Sequence, residues 1–404
     1  MKWGFVGTAA LVVVLSACQE KLTAPVDCPA LCPGGQPVVF DEVFNPVVGA
    51  DSSFRGYVQP HAADALLAAN GFQGFEELAL VRFLRRADSV SVRDTLRAYV
   101  IDSVALSFTI LARDTTLTGL QVELYRLSPV FDSTISYAGI VPAFVFDSLV
   151  ATINVPDTVK SGTIRQVFQG PDLSRVQIAP ADSGRLGLGL RVVSPPLTGV
   201  RFGALGSGTG ANFTTYVTAD IPDTGTAKIR TINAGVAFNT YVSQQQTQMD
   251  DPTRLAVGGE PSARAFLHFD LPSRIRDSAT IVRATLELTP VDAISGLPTD
   301  PARLFARALL ANAGPKSPVN TAPARVPIDT LDNGATTVSL EIVRLVELWL
   351  GATPRPSALS LALDPDLEAA SFTRPMFHST LAADPSLRPR LRVSYLRSFP
   401  FENP

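Results

Sequence analysis

The chain repeats one pattern of apolar and polar residues, and this repeat limits its possible folds more than any other feature does. Five segments of the first half recur in the same order in the second half, about 180 residues later. Period-2 alternation could explain any one match by chance, but it does not explain the shared order. We therefore predict two copies of one domain, at residues 38–222 and 223–397. The matched pairs are Phe54–Val58 with Phe238–Val242, Ala79–Phe83 with Ala265–Phe269, Ile101–Thr109 with Ile281–Thr289, Ile164–Gly170 with Leu345–Gly351, and Leu186–Leu190 with Leu359–Leu363.

Each copy is predicted to consist of β-strands. Apolar and polar residues alternate in segments such as Ala284–Leu288 and Leu391–Tyr395, so one face of each strand would meet a core. Turn sequences such as Asp364–Asp366 separate the segments, and the 32 Pro and 28 Gly disfavour long helices. The predicted fold class is therefore all-β, with two tandem jelly-roll-like antiparallel β-sandwiches.

One segment breaks the strand pattern. Between Ser339 and Leu350, apolar residues recur at helical spacing with charged residues between them, and Gly351 follows where a helix would stop. We predict a short amphipathic helix here, which would cap the sandwich, and one such helix in each copy. Trp349 lies on the apolar face of this helix and is therefore predicted to belong to the core.

The charge balance excludes one class of function. The chain has 34 basic and 37 acidic side chains, which gives a formal net charge of −3. Proteins that bind nucleic acid through bulk charge need clustered Lys and Arg to neutralise phosphates. We therefore expect no nucleic-acid partner.

A lipoprotein signal is predicted at residues 1–17. Lys2 precedes an apolar run that is too short to cross a bilayer as a helix, and the run ends in Leu-Ser-Ala-Cys at positions 15–18. This ending resembles the bacterial lipobox, which implies cleavage before Cys18 and acylation of that residue. The alternative is an ordinary secretory signal with an incidental cysteine. Gln19 follows, where Asp would imply retention at the inner membrane, so the resemblance implies an outer-membrane lipoprotein on the periplasmic or cell-surface face.

Residues 18–37 are predicted to form a flexible tether. This Pro-rich segment contains Cys28 and Cys32, and two thiols this close usually form a local disulfide outside the cytoplasm. A metal site would need further ligands, and a redox pair normally has two intervening residues. Free thiols remain the alternative to the disulfide.

No catalytic residue, metal site or cofactor is predicted. The three His are not spaced as a metal pair, and motifs for a nucleophilic serine or a phosphate loop are missing from the sequence. Paired carboxylates occur at Asp250-Asp251 and at Asp364, Asp366 and Glu368. Both groups stand among turn residues, where Asp commonly caps backbone amides. A glycosidase pair and, for the second group, a structural calcium are the alternatives.

Three further features have structural explanations. His268 stands in an alternating strand and is predicted to be a sheet residue, and His378 is predicted to lie in a solvated loop. The Gly-rich stretch Gly203–Gly210 precedes a strand, whereas a phosphate-binding loop would precede a helix. We therefore predict a flexible loop there.

The second copy resembles the DNRLRE domain family over about 155 residues. The resemblance implies a secreted β-sandwich module of the kind found in bacterial and archaeal surface proteins, often similar to carbohydrate-binding modules. The chain departs from the family at Asn239, where Asp is usual, and at His268, where Arg is usual. The first copy has the same order of strand segments without the family's characteristic motifs, so its resemblance to the family is inferred through the repeat. The matching segments are Thr240–Val242, Leu255–Gly259, Arg264–Leu271, Ala279–Leu288, Trp349–Gly351 and Arg388–Tyr395.

These features predict a lipid-anchored, non-catalytic envelope protein that acts in adhesion, assembly or polymer binding. The alternative is a lipoprotein that recruits extracellular polysaccharide, and a glycan-active enzyme ranks third. The expected partners are the membrane through the lipid anchor, and polysaccharide or envelope proteins. Arg accounts for nearly all the basic charge and suits carboxylates, so an acidic polysaccharide fits the alternative. Residues 398–404 are predicted to be a tail.

Overall fold

A computed structural model describes residues 38–221, 226–244, 251–260, 262–298, 302–321, 328–332, 334–351 and 355–397. The predicted signal, the lipidated Cys18, the tether with Cys28 and Cys32, and the tail 398–404 lie outside the described residues. Among the described residues, no helix is both long enough and apolar enough to span a bilayer.

The described chain consists mainly of short strands with three short helices. The helices are α1 (Tyr137–Ile140), α2 (Ser273–Arg276) and α3 (Val343–Trp349). The strands are β1 (Val39–Phe44), β2 (Ser52–Arg55), β3 (Ala65–Phe72), β4 (Phe75–Phe83), β5 (Val90–Val92), β6 (Thr95–Arg97), β7 (Val100–Arg113), β8 (Gln121–Leu127), β9 (Leu149–Asn154), β10 (Gly162–Gln169), β11 (Gly187–Val193), β12 (Gly199–Gly203), β13 (Asn212–Ile221), β14 (Thr226–Gln244), β15 (Arg254–Ala256), β16 (Ala263–His268), β17 (Ala279–Leu288), β18 (Ala302–Ala308), β19 (Ile328–Leu331), β20 (Val338–Glu341), β21 (Ala358–Leu363), β22 (Met376–His378) and β23 (Arg390–Arg397).

The all-β prediction is confirmed. The strands pair antiparallel, and their side chains alternate between the core and the solvent as the sequence pattern requires. In β23, for example, Leu391, Val393 and Tyr395 are fully buried whereas Arg392 is exposed. Period-2 patterning therefore accounts for the strand content.

The strands form two sets of sheets with the same order. The first set is one ten-stranded sheet, which contains the runs of paired strands β14-β13-β7-β10 and β14-β4-β11-β8-β9. The second set contains β1-β23-β17-β20 and β2-β16-β21-β18-β19 in the corresponding positions. In the first set, β3 and β12 also link β4 to β7, so hydrogen bonding runs around a closed ring of six strands.

Strand pairing crosses the predicted boundary at residues 222 and 223 in both directions. Strand β14 follows that boundary but pairs with β13 and β4 of the first set. Strands β1 and β2 precede the first set but pair with β23 and β16 of the second set. The first strand of each sequence repeat therefore lies in the sheets of the other repeat.

The predicted helix between Ser339 and Leu350 is shorter than expected. Its first residues belong to β20, which pairs with β17, and the helix α3 begins only at Val343. Valine and leucine alternate with polar residues in β20, so period-2 patterning prevails there. The match of Ile164–Gly170 with Leu345–Gly351 is accordingly wrong, because β10 occupies the position of β20 and not that of the helix.

The two sets share part of one core. Ala369, Ala370 and Phe372 follow β21 in the second set, yet they pack in the core of the first set. The Phe372 ring meets Phe72 edge to face with a centroid distance of 5.4 Å. A Cβ at Gly199 would lie 2.5 Å from Cζ of Phe372, so the β12 backbone approaches this ring too closely for any side chain. The junction of the two sets is therefore a packed interface.

Candidate functional site

Two cavities open at this junction, and both are bordered by Glu260. We call the smaller one the junction cleft; it measures about 200 Å³ and is lined by residues that include Arg55, Gln73, Glu260, Asp292 and Arg374. The larger one, here the tyrosine groove, measures about 690 Å³, and residues that include Ile135, Tyr137, Val141, Tyr241, Ser243 and Glu260 line it. Concave sites that combine apolar walls with a few polar groups are the usual places for ligands.

Strands β4 and β14 place three polar side chains on one face at the junction. Glu77 of β4 pairs in register with Ser243 of β14, and Tyr241 lies two residues before Ser243 on the same strand. Directly opposed residues of an antiparallel pair share a face, as do residues two apart on one strand. Glu77, Tyr241 and Ser243 therefore face the same side, toward the second set.

The second set supplies Glu260 and Arg374. Glu260 follows Gly259, where a Cβ would lie only 2.0 Å from the carbonyl oxygen of Ser371, so only glycine permits this close approach of the two loops. Arg374 precedes β22, and its guanidinium carbon lies 3.6 Å from the ring centre of Phe75 on β4. The glycine and the cation–π contact thus position an acid and a base beside β4.

The hydroxyl of Tyr241 lies between two oxygen atoms. It is 2.5 Å from Oε2 of Glu260 and 2.7 Å from the carbonyl oxygen of Ala369. A phenol has one proton and can donate to only one of these acceptors. Both distances are satisfied when protonated Glu260 donates to the Tyr241 oxygen and Tyr241 donates to Ala369. The geometry therefore favours a protonated Glu260.

Burial favours a proton on the carboxyl pair formed by Glu77 and Glu260. Burial raises the pKa of Glu260, against the lowering by its hydrogen bond with Tyr241, and burial raises the pKa of Glu77 well above its ordinary value. Burial also lowers the pKa of Arg374 to about 10, so this side chain remains cationic at neutral pH. One ionised carboxylate beside Arg374 leaves the cluster neutral, which is the least costly state for buried charges.

Glu77 adds an unsatisfied group to the cluster. The side chain is 1% exposed, and its Oε2 atom makes no hydrogen bond within the described residues. Burying an unpaired carboxylate oxygen is costly. No sequence motif marks Tyr241, Glu260 or Arg374 as functional residues. For Glu77 the sequence did contain a signal of burial, because this residue directly precedes the apolar run Leu78–Val81, which is buried on both faces of β4.

The carboxylates predicted from sequence have structural partners instead. Glu368 accepts two hydrogen bonds from Arg264, at 2.8 and 2.7 Å, and Asp364 pairs with Arg303. Asp251 accepts hydrogen bonds from the backbone and hydroxyl of Thr253, which lower its pKa; Asp250 lies outside the described residues. In the part of the chain that the structure describes, His, Cys, Asp and Glu form no group of three that could hold a metal.

The remaining residues discussed from the sequence contribute to packing or to backbone hydrogen bonding. His268 lies in β16, and its Nδ1 is 2.8 Å from the carbonyl oxygen of Ala50. Trp349 is 5% exposed and stacks on Phe269, so its predicted core position is confirmed. Asn239 accepts a hydrogen bond from the backbone of Leu205 and so anchors the Gly-rich loop. His378 lies in β22 and not in a loop, because it pairs with Arg254.

No protein-family model matches the chain, and no curated protein matches it in sequence. The resemblance to the DNRLRE domain therefore stays a prediction.

Proposed function

We propose that this chain is a lipid-anchored, non-catalytic binding protein of the bacterial outer membrane. Acylated Cys18 holds it to the membrane, and two jelly-roll-like sandwiches, one from each set of sheets, form the mature protein. The lipobox-like residues 15–18 support the anchor. The equal strand order of the two sets supports the paired sandwiches.

The observation that carries the binding role is the pair of cavities that Glu260 helps to line. The junction cleft presents arginine, glutamine and carboxylate side chains, whereas the tyrosine groove presents Tyr137 with the apolar side chains of Ile135 and Val141. The two cavities together would complement an extended polymer that has both polar and apolar faces. Binding of such a polymer across the junction is therefore the proposed activity.

Polysaccharide is the polymer that these walls fit best. The half-buried ring of Tyr137 offers a platform for the apolar face of a sugar, and buried carboxyl and hydroxyl groups such as Glu260 and Ser243 can bond its hydroxyls. Arg55 and Arg374 line the junction cleft, and arginine forks bind carboxylates. An acidic polysaccharide is accordingly the favoured class of ligand.

A glycan array probed with the soluble protein, starting at residue 19, tests this proposal. We expect retention on acidic polysaccharides, and a loss of at least about fivefold in affinity for Tyr137→Ala, since one stacking contact contributes on the order of 1 kcal/mol or more. Tyr216→Ala is the matched control, because Tyr216 lies on β13 away from both cavities. An array without bound glycan, or equal loss in both variants, would contradict the proposal.

A further inference from the structure

Residues 38–58 form a separate strand segment that completes the second set of sheets. Strand β1 pairs with β23 over Val39–Phe44, and β2 pairs with β16 over Ser52–Arg55. Each of these strands is the edge of its sheet. An edge strand can leave or join without breaking any other strand pair.

Apolar rings attach this segment to the second set. Phe40 of β1 stacks on Tyr395 with a centroid distance of 5.6 Å, and Phe54 of β2 meets Phe266 edge to face at 5.3 Å. Tyr395 and Phe266 are almost fully buried. The segment therefore covers core residues that would otherwise be exposed.

Polar contacts make the attachment specific. Both carboxylate oxygens of Glu42 accept hydrogen bonds from Arg274 of α2, at 3.2 and 2.6 Å, and Tyr395 donates to the same carboxylate at 2.6 Å. Asp51 accepts a hydrogen bond from the backbone of Thr380 at 2.8 Å. These partners lie in the second set, more than 200 residues along the chain.

A single short connection joins this segment to the rest of its own chain. Residues 56–64 lead from β2 to β3 of the first set and contain one turn at Pro60–Ala62. The acceptor strands β16 and β23 follow only after the whole first set. The contacts that hold residues 38–58 do not depend on which chain supplies them, because only residues 59–64 would have to change course.

We propose that two copies of this protein associate by exchanging residues 38–58. Each copy adds its β1 to the partner's β23 and its β2 to the partner's β16, with the same register as within one chain. The partner is thus a second copy of this chain, and the interaction surface is the pair of open sheet edges. Within one chain the two repeats already exchange their first strands, since β14 fills the corresponding edges of the first set. Local protein concentration sets the balance between the two forms.

Paired charge reversals in the full soluble protein test the exchange. One chain carries Glu42→Arg and the other carries Arg274→Glu. The two chains, one of them isotopically labelled, are unfolded in urea and refolded together. In a mixed exchanged dimer, each new arginine meets a new glutamate and each native glutamate meets a native arginine. We expect mixed dimers in native mass spectra to exceed either homodimer at least about fivefold, because one repulsive contact is relieved at each of the two sites. Labelled and unlabelled wild-type chains refolded together should also form mixed dimers.

The matched control is the reversal pair Arg283→Glu and Glu341→Arg. Arg283 and Glu341 form an ion pair of 3.0 Å between β17 and β20, so both stay on one chain during the exchange. Mixing these two variants should give mixed dimers at only the statistical twofold ratio to either homodimer. Circular dichroism and a thermal transition verify that each variant folds. Wild-type chains that remain monomeric at every concentration, or equal mixed-dimer yields in the two pairs of reversals, would overturn the proposal.

Discussion

Because Glu260 holds a proton in the folded protein, we predict that the free energy of unfolding falls as the pH rises from acid to neutral. Burial raises the pKa of Glu260 above the ordinary value of 4.5, whereas the unfolded chain releases this proton near that value. Between the two pKa values, the folded protein binds one proton more than the unfolded chain. Stability that is fully present in acid is therefore lost at about 1.4 kcal/mol per pH unit for this proton as the pH rises.

Glu260→Gln removes this proton without removing its hydrogen bond. The amide of glutamine can donate to the oxygen of Tyr241, which keeps its own hydrogen bond to Ala369. Urea unfolding followed by circular dichroism between pH 5 and pH 8 measures the free energy of unfolding of both proteins. The variant should gain up to about 1.4 kcal/mol per pH unit relative to the wild type, until the folded protein loses the proton. Carboxylates outside the cluster contribute equally to both curves and cancel, whereas the proton of Glu77 is coupled to that of Glu260, so the difference in slope reports these two carboxyls together.

Glu76→Gln is the control for this measurement. Glu76 precedes Glu77 on β4 and faces the other side of the strand, away from the Tyr241 hydroxyl. Its stability curve should run parallel to that of the wild type. Parallel curves for the wild type and Glu260→Gln would show that Glu260 is ionised in the folded protein, and the assigned hydrogen-bond chain would be wrong.

Three further changes test other parts of the molecule. Cys18→Ser should move the protein from the membrane fraction to the soluble fraction, and unchanged partitioning on a flotation gradient would refute the anchor. Phe372→Ala should lower the free energy of unfolding by about 3–5 kcal/mol, because the ring is 4% exposed in the shared core; Leu381→Ala, at an exposed site, should change it by less than about 0.5 kcal/mol. Arg264→Ala should cost about 3–5 kcal/mol, since Glu368 is 3% exposed and would lose its ion partner. Addition of Glu368→Leu should recover most of this loss in urea unfolding.

Local patterns predicted the strands well and the helix only in part. Alternation in segments such as Leu391–Tyr395 reports which face of a strand is buried, and this is a property of neighbouring residues. The same alternation continues into Ser339 and Leu340, where the helical spacing of the residues that follow also fits. Residues at the border between β20 and α3 fit both the strand pattern and the helix pattern. The pairing of β20 with β17 therefore decided where the strand ends.

The candidate site was beyond the reach of local patterns. Glu77 and Tyr241 belong to strands of the first set, whereas Glu260 and Arg374 come from loops of the second set. Their protonation depends on burial by residues far away in the chain, which no short motif records. The acidic group at Asp364 and Glu368 is conspicuous in sequence, yet arginines of neighbouring strands neutralise it.

The sequence by itself determined that this chain forms antiparallel sheets twice over, because strand period and turn residues act within a few neighbours. Only the tertiary structure decided which sheet edge each first strand joins. Every edge presents the same backbone donors and acceptors, so the choice between them depends on side-chain contacts such as those of Glu42 with Arg274 and of Phe40 with Tyr395. The same packing brought Glu77 and Glu260 together, and burial then set the charge that they carry.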